Sequence, residues 1–141
     1  RMARDLDLPV EIVGAPTVRE ADGVAASSRN AYLDEAGRRS ARALYRALQE
    51  AVRLVEAGER APQAVEDAAR GILAADERIE VDYAEVVSAT DLSKQKRLEG
   101  TVLVLLSAKV KVDGRSPVLL IDNVRIDVPA DAAAPRRPGA K

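Results

Sequence analysis

The sequence predicts an α+β domain: a helical hairpin followed by a small antiparallel sheet, with the last helix and strand of an α/β unit in front of it. Three observations carry that prediction. Residues 41–55 and 62–73 hold apolar stripes at helical spacing, joined by a short connection. Residues 79–84, 101–112 and 118–128 are β-rich or alternating, with a turn sequence between the last two. Residues 1–13 read as a helix end, a proline and a short apolar run. Helices followed by strands make an α+β layer pair, and 141 residues suffice for a core.

Taken in order, Met2 and Leu6 lie four apart, so residues 1–8 read as the last turns of a helix that starts without a cap. Pro9 ends it. Val10-Glu11-Ile12-Val13 then reads as a short, buried strand, broken by Gly14 and Pro16. Such pieces cannot build a parallel sheet alone, so a preceding α/β domain is expected. Asp34 suits an N-cap, with Glu35 in the favourable first turn. Ala41, Leu44, Tyr45, Leu48, Ala51, Val52 and Val55 form the apolar face of that helix, and Gly58 closes it. Pro62 opens the second helix, whose face is Val65, Ala68, Ala69, Ile72 and Leu73.

The first strand shows Ile79, Val81 and Tyr83 alternating with Glu80, Asp82 and Ala84. A polar loop over residues 88–100 leads to the second strand. Asp113-Gly114-Arg115-Ser116-Pro117 turns the chain into the last one, which Asp122-Asn123 interrupts. Residues 129–141, rich in Ala, Pro and Arg, read as a disordered tail. The expected division is 1–28 as the end of an α/β domain with its loop, 29–128 as the α+β domain, and 129–141 as the tail.

Composition narrows the chemistry. Hydrophobic residues make up 47% and charged residues 32%, a globular balance. Lys plus Arg is 22 against 23 acidic residues, for a net charge of −1. That balance argues against a nucleic-acid or polybasic membrane surface. With no Cys there is no disulfide and no thiolate metal site, and with no His the commonest general base is missing. A carboxylate-held Mg²⁺ remains open. No apolar run approaches the roughly 20 residues that span a bilayer, and no leader pattern is present. The expected location is the cytoplasm.

Polar chemistry concentrates in one loop. Pro16-Thr17-Val18-Arg19-Glu20 is followed by Asp22-Gly23 and then by Ser27-Ser28-Arg29-Asn30. Two hydroxyls can donate to phosphate oxygens, and a guanidinium can bind the same group in a bidentate, charge-assisted way. Asn30 can donate its amide or take a left-handed turn, and Gly23 allows a bend. The helix that follows points free N–H groups toward the region. The same residue types also serve as ordinary caps and solvated charges, so composition leaves both readings open. No Walker-type Gly-Lys-Ser/Thr is present.

Elsewhere the residues read as structural. Asp122-Asn123 is a strand irregularity or buried polar pair. Glu80 and Asp82 fall on an exposed strand face and, with Glu85, make no acid pair. Tyr32, Tyr45 and Tyr83 are core or interface aromatics. Arg136-Arg137 is a solvated pair. Arg19 and Glu20 either hold the loop or face substrate; the sequence does not separate these.

The run from Pro16 through Ala26-Ser27-Ser28-Arg29-Asn30-Ala31-Tyr32-Leu33 closely resembles the junction segment of the pantothenate synthetase (pantoate–β-alanine ligase) family. The likeness continues through Arg38 or Arg39, Ala41 and Leu44, resumes at residues 81–87, and returns weakly at Leu120-Ile121-Asp122-Asn123-Val124. The resemblance implies an ATP- and Mg²⁺-dependent, AMP-forming ligase that activates pantoate as an adenylate and transfers it to β-alanine. It implies a missing nucleotidyltransferase-like, Rossmann-type domain ahead of this C-terminal lid, and a homodimer. Carried over, Ser27, Ser28 and Arg29 would bind the triphosphate, Ala26 would add backbone contacts, and Val18 would meet adenine through its main chain.

This chain departs from the family at Ala26, where Met or Leu is usual, and at residues 117–119, which lack an Arg directly before the leucines. The family's His-containing motif and its pantoate-binding glutamines belong to the first domain. The chain alone is therefore expected to be inactive and at most a weak ATP binder. The other reading is a partner-binding module derived from the lid, without catalysis.

Overall fold

The computed structural model describes residues 2–130. The element order is α1 (Met2–Asp5), a 3₁₀ turn (Ser28–Tyr32), α2 (Glu35–Glu56), α3 (Pro62–Ala74), β1 (Ile79–Ser88), β2 (Thr101–Val110) and β3 (Val118–Asp127). The strands form one antiparallel sheet in the order β1-β2-β3, and the α2–α3 hairpin covers one face of it.

Local chemistry explains the helices. Asp34 caps α2 by accepting from the Gly37 N–H at 2.6 Å, and its second oxygen accepts from the Asp113 N–H at 3.0 Å. That pair ties the start of α2 to the β2–β3 turn. Gly58 ends α2 with φ +101°, a left-handed residue just past the helix. Pro62 opens α3. The inward face of α2 alternates small and large residues, with Ala43, Ala47 and Ala51 beside Leu44, Leu48 and Val55, all buried. Small side chains let the helix sit close to the sheet, and the larger ones fill the remaining space.

Val102, Val104, Leu106, Ala108 and Val110 of β2 form the core floor, flanked by Val118, Leu120 and Ile126 of β3. The open edge of β1 is covered from α3: Glu66 accepts the Val86 N–H at 2.9 Å, and Arg70 donates to the Ala84 carbonyl at 2.8 Å.

Several expectations need correction. Residues 10–13 form no strand; Val10, Ile12 and Val13 are exposed, because no neighbouring strand among the described residues pairs with them. Tyr83 does not continue the inward alternation of Ile79 and Val81. A register shift between Val81 and Tyr83 inserts one residue, so Ala84 and Val86 turn inward and Tyr83 is exposed. Tyr32 is likewise exposed, so neither it nor Tyr83 is a core aromatic, and Tyr45 is half-buried against Gly23 and Arg19. Asp122-Asn123 does not interrupt β3, which pairs unbroken from Val118↔Val110 to Asp127↔Thr101. The expected tail from residue 129 lies outside the described residues after Ala130, and so do Arg136 and Arg137.

Candidate functional site

Residues 18–26 double back as a tight turn. The Ala26 N–H donates to the Val18 carbonyl, the Glu20 N–H to Val24, and the Gly23 N–H to Glu20, each at 2.9 Å. Arg19 and Ala25 pair across it. Gly23 sits at φ +88° with the Tyr45 ring against it; a Cβ there would fall 2.2 Å from Tyr45 Cδ1. Glycine is therefore required both by conformation and by space.

Two arginines bind this turn to the body. Arg19 donates from Nη1 to Asp122 Oδ2 at 2.7 Å and from Nη2 to Asp122 Oδ1 at 3.0 Å. It also donates to the Gly23 carbonyl at 3.0 Å and stacks on Tyr45 with its guanidinium carbon 4.5 Å from the ring centroid. Arg38 of α2 donates to both carboxylates of the turn, reaching Asp22 at 2.7 and 2.8 Å and Glu20 at 2.8 Å. Arg42 adds a longer bond to Asp22 at 3.4 Å. The hydrogen bonds from Arg38 hold the Asp22 carboxyl well below the usual carboxylate range. Glu20 is lowered by Arg38 first and Asn30 second, and Arg38 is raised in turn by Asp22 and Glu20. Of the two readings the sequence left open for Arg19 and Glu20, these contacts support the one in which both hold the loop.

Asn30 also turns inward. Its Nδ2 donates to Glu20 Oε1 at 2.9 Å and to the Ala25 carbonyl at 3.0 Å, while its Oδ1 is buried without a partner. Its backbone is not left-handed. The start of α2 is committed elsewhere, since Asp34 takes its N–H and faces the β2–β3 turn. A 3₁₀ turn, Ser28–Tyr32, lies between the loop and the start of α2.

A cleft of about 220 Å³ opens between the loop, Ala41 and Leu44 of α2, and Leu119 to Asp122 of β3. Of the expected site residues, Ala26, Ser27 and Arg29 line it. Ser28 begins the 3₁₀ turn just outside, and Val18 lies exposed on the opposite limb of the turn with its carbonyl bonded to Ala26. The Ser27 Oγ accepts from the Arg29 N–H at 3.2 Å, leaving its hydroxyl proton available. Arg29 is exposed and, unlike Arg19, Arg38 and Arg42, has no carboxylate partner among the described residues. On its other side lies a shallower hollow of about 370 Å³ bordered by Tyr32, Arg115, Ser116 and Pro117.

Sequence reasoning missed the parts played by Asp122, Arg38 and Asp22. The available signal for Asp122 was its phase: it occupies the inward series of Val118, Leu120 and Ile126. Among the described residues no group of three acidic, His or Cys side chains converges to hold a metal ion. The carboxylates nearest the loop are paired with arginines, so they do not fit a Mg²⁺ site. No helix among the described residues is long and apolar enough to cross a membrane.

Comparison with known proteins adds independent findings. Residues 1–125 match the family model described as pantoate-beta-alanine ligase. Pantothenate synthetase of Geobacillus kaustophilus is 44% identical over 128 residues, covering 91% of this chain and 41% of the relative. That of Moorella thermoacetica is 42% identical over 128 residues, again 91% of this chain and 44% of the relative. The crystal structure of pantothenate synthetase from Thermus thermophilus superimposes with a TM-score of 0.76 at 34% identity, covering 87% of this chain and 42% of that one. The chain thus spans about two fifths of the length of the curated relatives it matches.

Proposed function

The chain belongs to the pantoate-beta-alanine ligase family, and we propose that it is the C-terminal lid of such an enzyme, carrying the loop that holds the outer phosphates of ATP. In the reaction proposed for the whole enzyme, a pantoate carboxylate oxygen attacks the α-phosphorus of ATP, and the bond to pyrophosphate breaks. The amine of β-alanine then attacks the acyl carbon and loses a proton, and AMP leaves with the electron pair of the broken C–O bond. Ser27, Ser28 and Arg29 donate to the triphosphate and stabilise charge that builds on the departing pyrophosphate. Ala26 offers its backbone, and Val18 its main chain, to the nucleotide. Mg²⁺ is proposed to come with the nucleotide, and we assign no residue of this chain to it.

The observation that carries this reading is the contrast among the arginines. Arg19, Arg38 and Arg42 are each paired with a carboxylate, while Arg29, at the cleft beside the Ser27 hydroxyl, has no carboxylate partner among the described residues. A guanidinium without a carboxylate partner next to a free hydroxyl proton suits a polyanion. The remaining half of the site is proposed to lie in a preceding nucleotide-binding domain. The lone chain would then have no ligase activity, and a cytoplasmic homodimer is the expected working form.

The test uses the longest open reading frame that carries this chain. Arg29→Ala should raise the KM for ATP or lower kcat by about tenfold or more, with an unchanged melting temperature. Unaltered ATP kinetics would remove Arg29 from the site. A parent frame that releases no AMP with pantoate and β-alanine would favour the partner-binding module instead.

A further inference from the structure

Resting on the reading of residues 26–29 as a phosphate loop, we propose that Arg19 and Asp122 are a positioning pair, which sets where Ser27 and Arg29 stand over the cleft. Neither side chain is offered as a group that touches the nucleotide. Their contacts are with the loop and the sheet.

The geometry is specific. Arg19 and Asp122 are 103 residues apart in the chain, and their bidentate bond joins the turn to the middle of β3. The Asp122 side chain is 3% exposed and that of Arg19 is 20% exposed. Arg19 lies directly across from Ala25, two residues before Ser27. The same guanidinium holds the Gly23 carbonyl and packs on Tyr45, so it fixes the turn in several directions at once. Asp122 in turn is oriented by the Asn123 N–H at 2.7 Å, and it belongs to the wall of the cleft that Ser27 and Arg29 line.

Stability alone does not account for this pair. Removing two charges from water is costly, and apolar pairs of similar volume often hold a fold as well or better. The flanking positions on the same face of β3, Leu120 and Val124, are apolar. What an apolar pair cannot supply is direction. Two parallel N–H···O bonds fix the angle and distance of the turn, whereas an apolar contact tolerates sliding. A small displacement of donors that bind a reacting group lowers their benefit steeply.

The decisive variant is the double substitution Arg19→Met with Asp122→Leu, made in the longest open reading frame that carries this chain. It removes both charges together and leaves neither one buried alone. The expected result is a melting temperature close to that of the parent and an ATP KM raised about tenfold, with the KM values for pantoate and β-alanine within about twofold. Arg19→Lys, which keeps the charge but loses the fork, should raise the ATP KM in the same direction. A parental ATP KM in the double variant would overturn the proposal. Should the double variant fail to fold, Arg19→Lys decides, and a parental ATP KM there would overturn it equally. Arg29→Ala, measured alongside, separates the two ideas. If it impairs ATP use while the pair variants do not, the phosphate loop stands and the positioning role falls. If Arg29→Ala changes nothing, the loop assignment itself falls.

Discussion

The body of the domain and the loop above it are held by different forces. Between the α2–α3 hairpin and the sheet the contacts are apolar, through fully buried residues such as Leu48, Leu73, Val86 and Leu106. Across residues 18–30 only Val24 is a buried apolar residue, and the work of attachment falls to Arg19, Arg38 and Asn30. Apolar burial is strong and non-directional, so it sets stability. Charge-assisted bonds contribute less net energy but fix orientation. Changes in the body should therefore show in unfolding, and changes in the loop's attachments should show in how it meets a ligand.

The largest expected effect lies in the body. Leu106→Ala empties the centre of β2 and should cost about 2–5 kcal/mol of stability, read by chemical denaturation. An unchanged acid titration of Glu20 and Asp22 in that variant is expected if the loop's attachments are independent of the core; a titration that moves with the core would show that they are not.

Next comes the junction of the two regions. Gly23→Ala forces a side chain into the Tyr45 ring and a left-handed backbone onto alanine, at about 1–3 kcal/mol of local strain. Made in the longest open reading frame that carries this chain, it should lower the melting temperature less than Leu106→Ala does and, on the proposed function, raise the KM for ATP more. Equal losses in both measurements would mean that the loop and the body are a single cooperative unit.

The smallest effect is that of pH. Glu20 and Asp22 are lowered in the folded chain, so their contribution is complete above the ordinary carboxylate range of about 4 and fades as pH falls through their folded values. Carboxyl ¹³C shifts should therefore titrate below about 4 in the parent and move back toward it in Arg38→Gln. Midpoints at the ordinary value in the parent would show that Arg38 does not hold the turn in solution.

Much of the body was legible because its signals are local. The cap at Asp34, the stop at Gly58 and the start at Pro62 each depend on a few adjacent residues, and the apolar stripes of α2 and α3 have a single period. The loop was legible only as a list of groups. That Asn30 turns inward while Arg29 turns outward depends on Glu20 and the Ala25 carbonyl, which no spacing rule connects to them. Alternation also failed at β1, where one inserted residue reversed the phase and exposed Tyr83.

The sequence by itself determined the helical hairpin, the three strands, the polar loop and the family likeness, because propensity, period and motif all act over short stretches of chain. Tertiary structure alone decided which charges meet. Arg19 finds Asp122 only because the register of β3 against β2 places that carboxylate, opposite Leu106, on the face turned to the helices and the loop. It also decided that Val10, Ile12 and Val13 stay uncovered, since burial needs a neighbour and none lies among the described residues. Pairing of this kind is set by where distant segments come to rest, and local pattern carries no record of it.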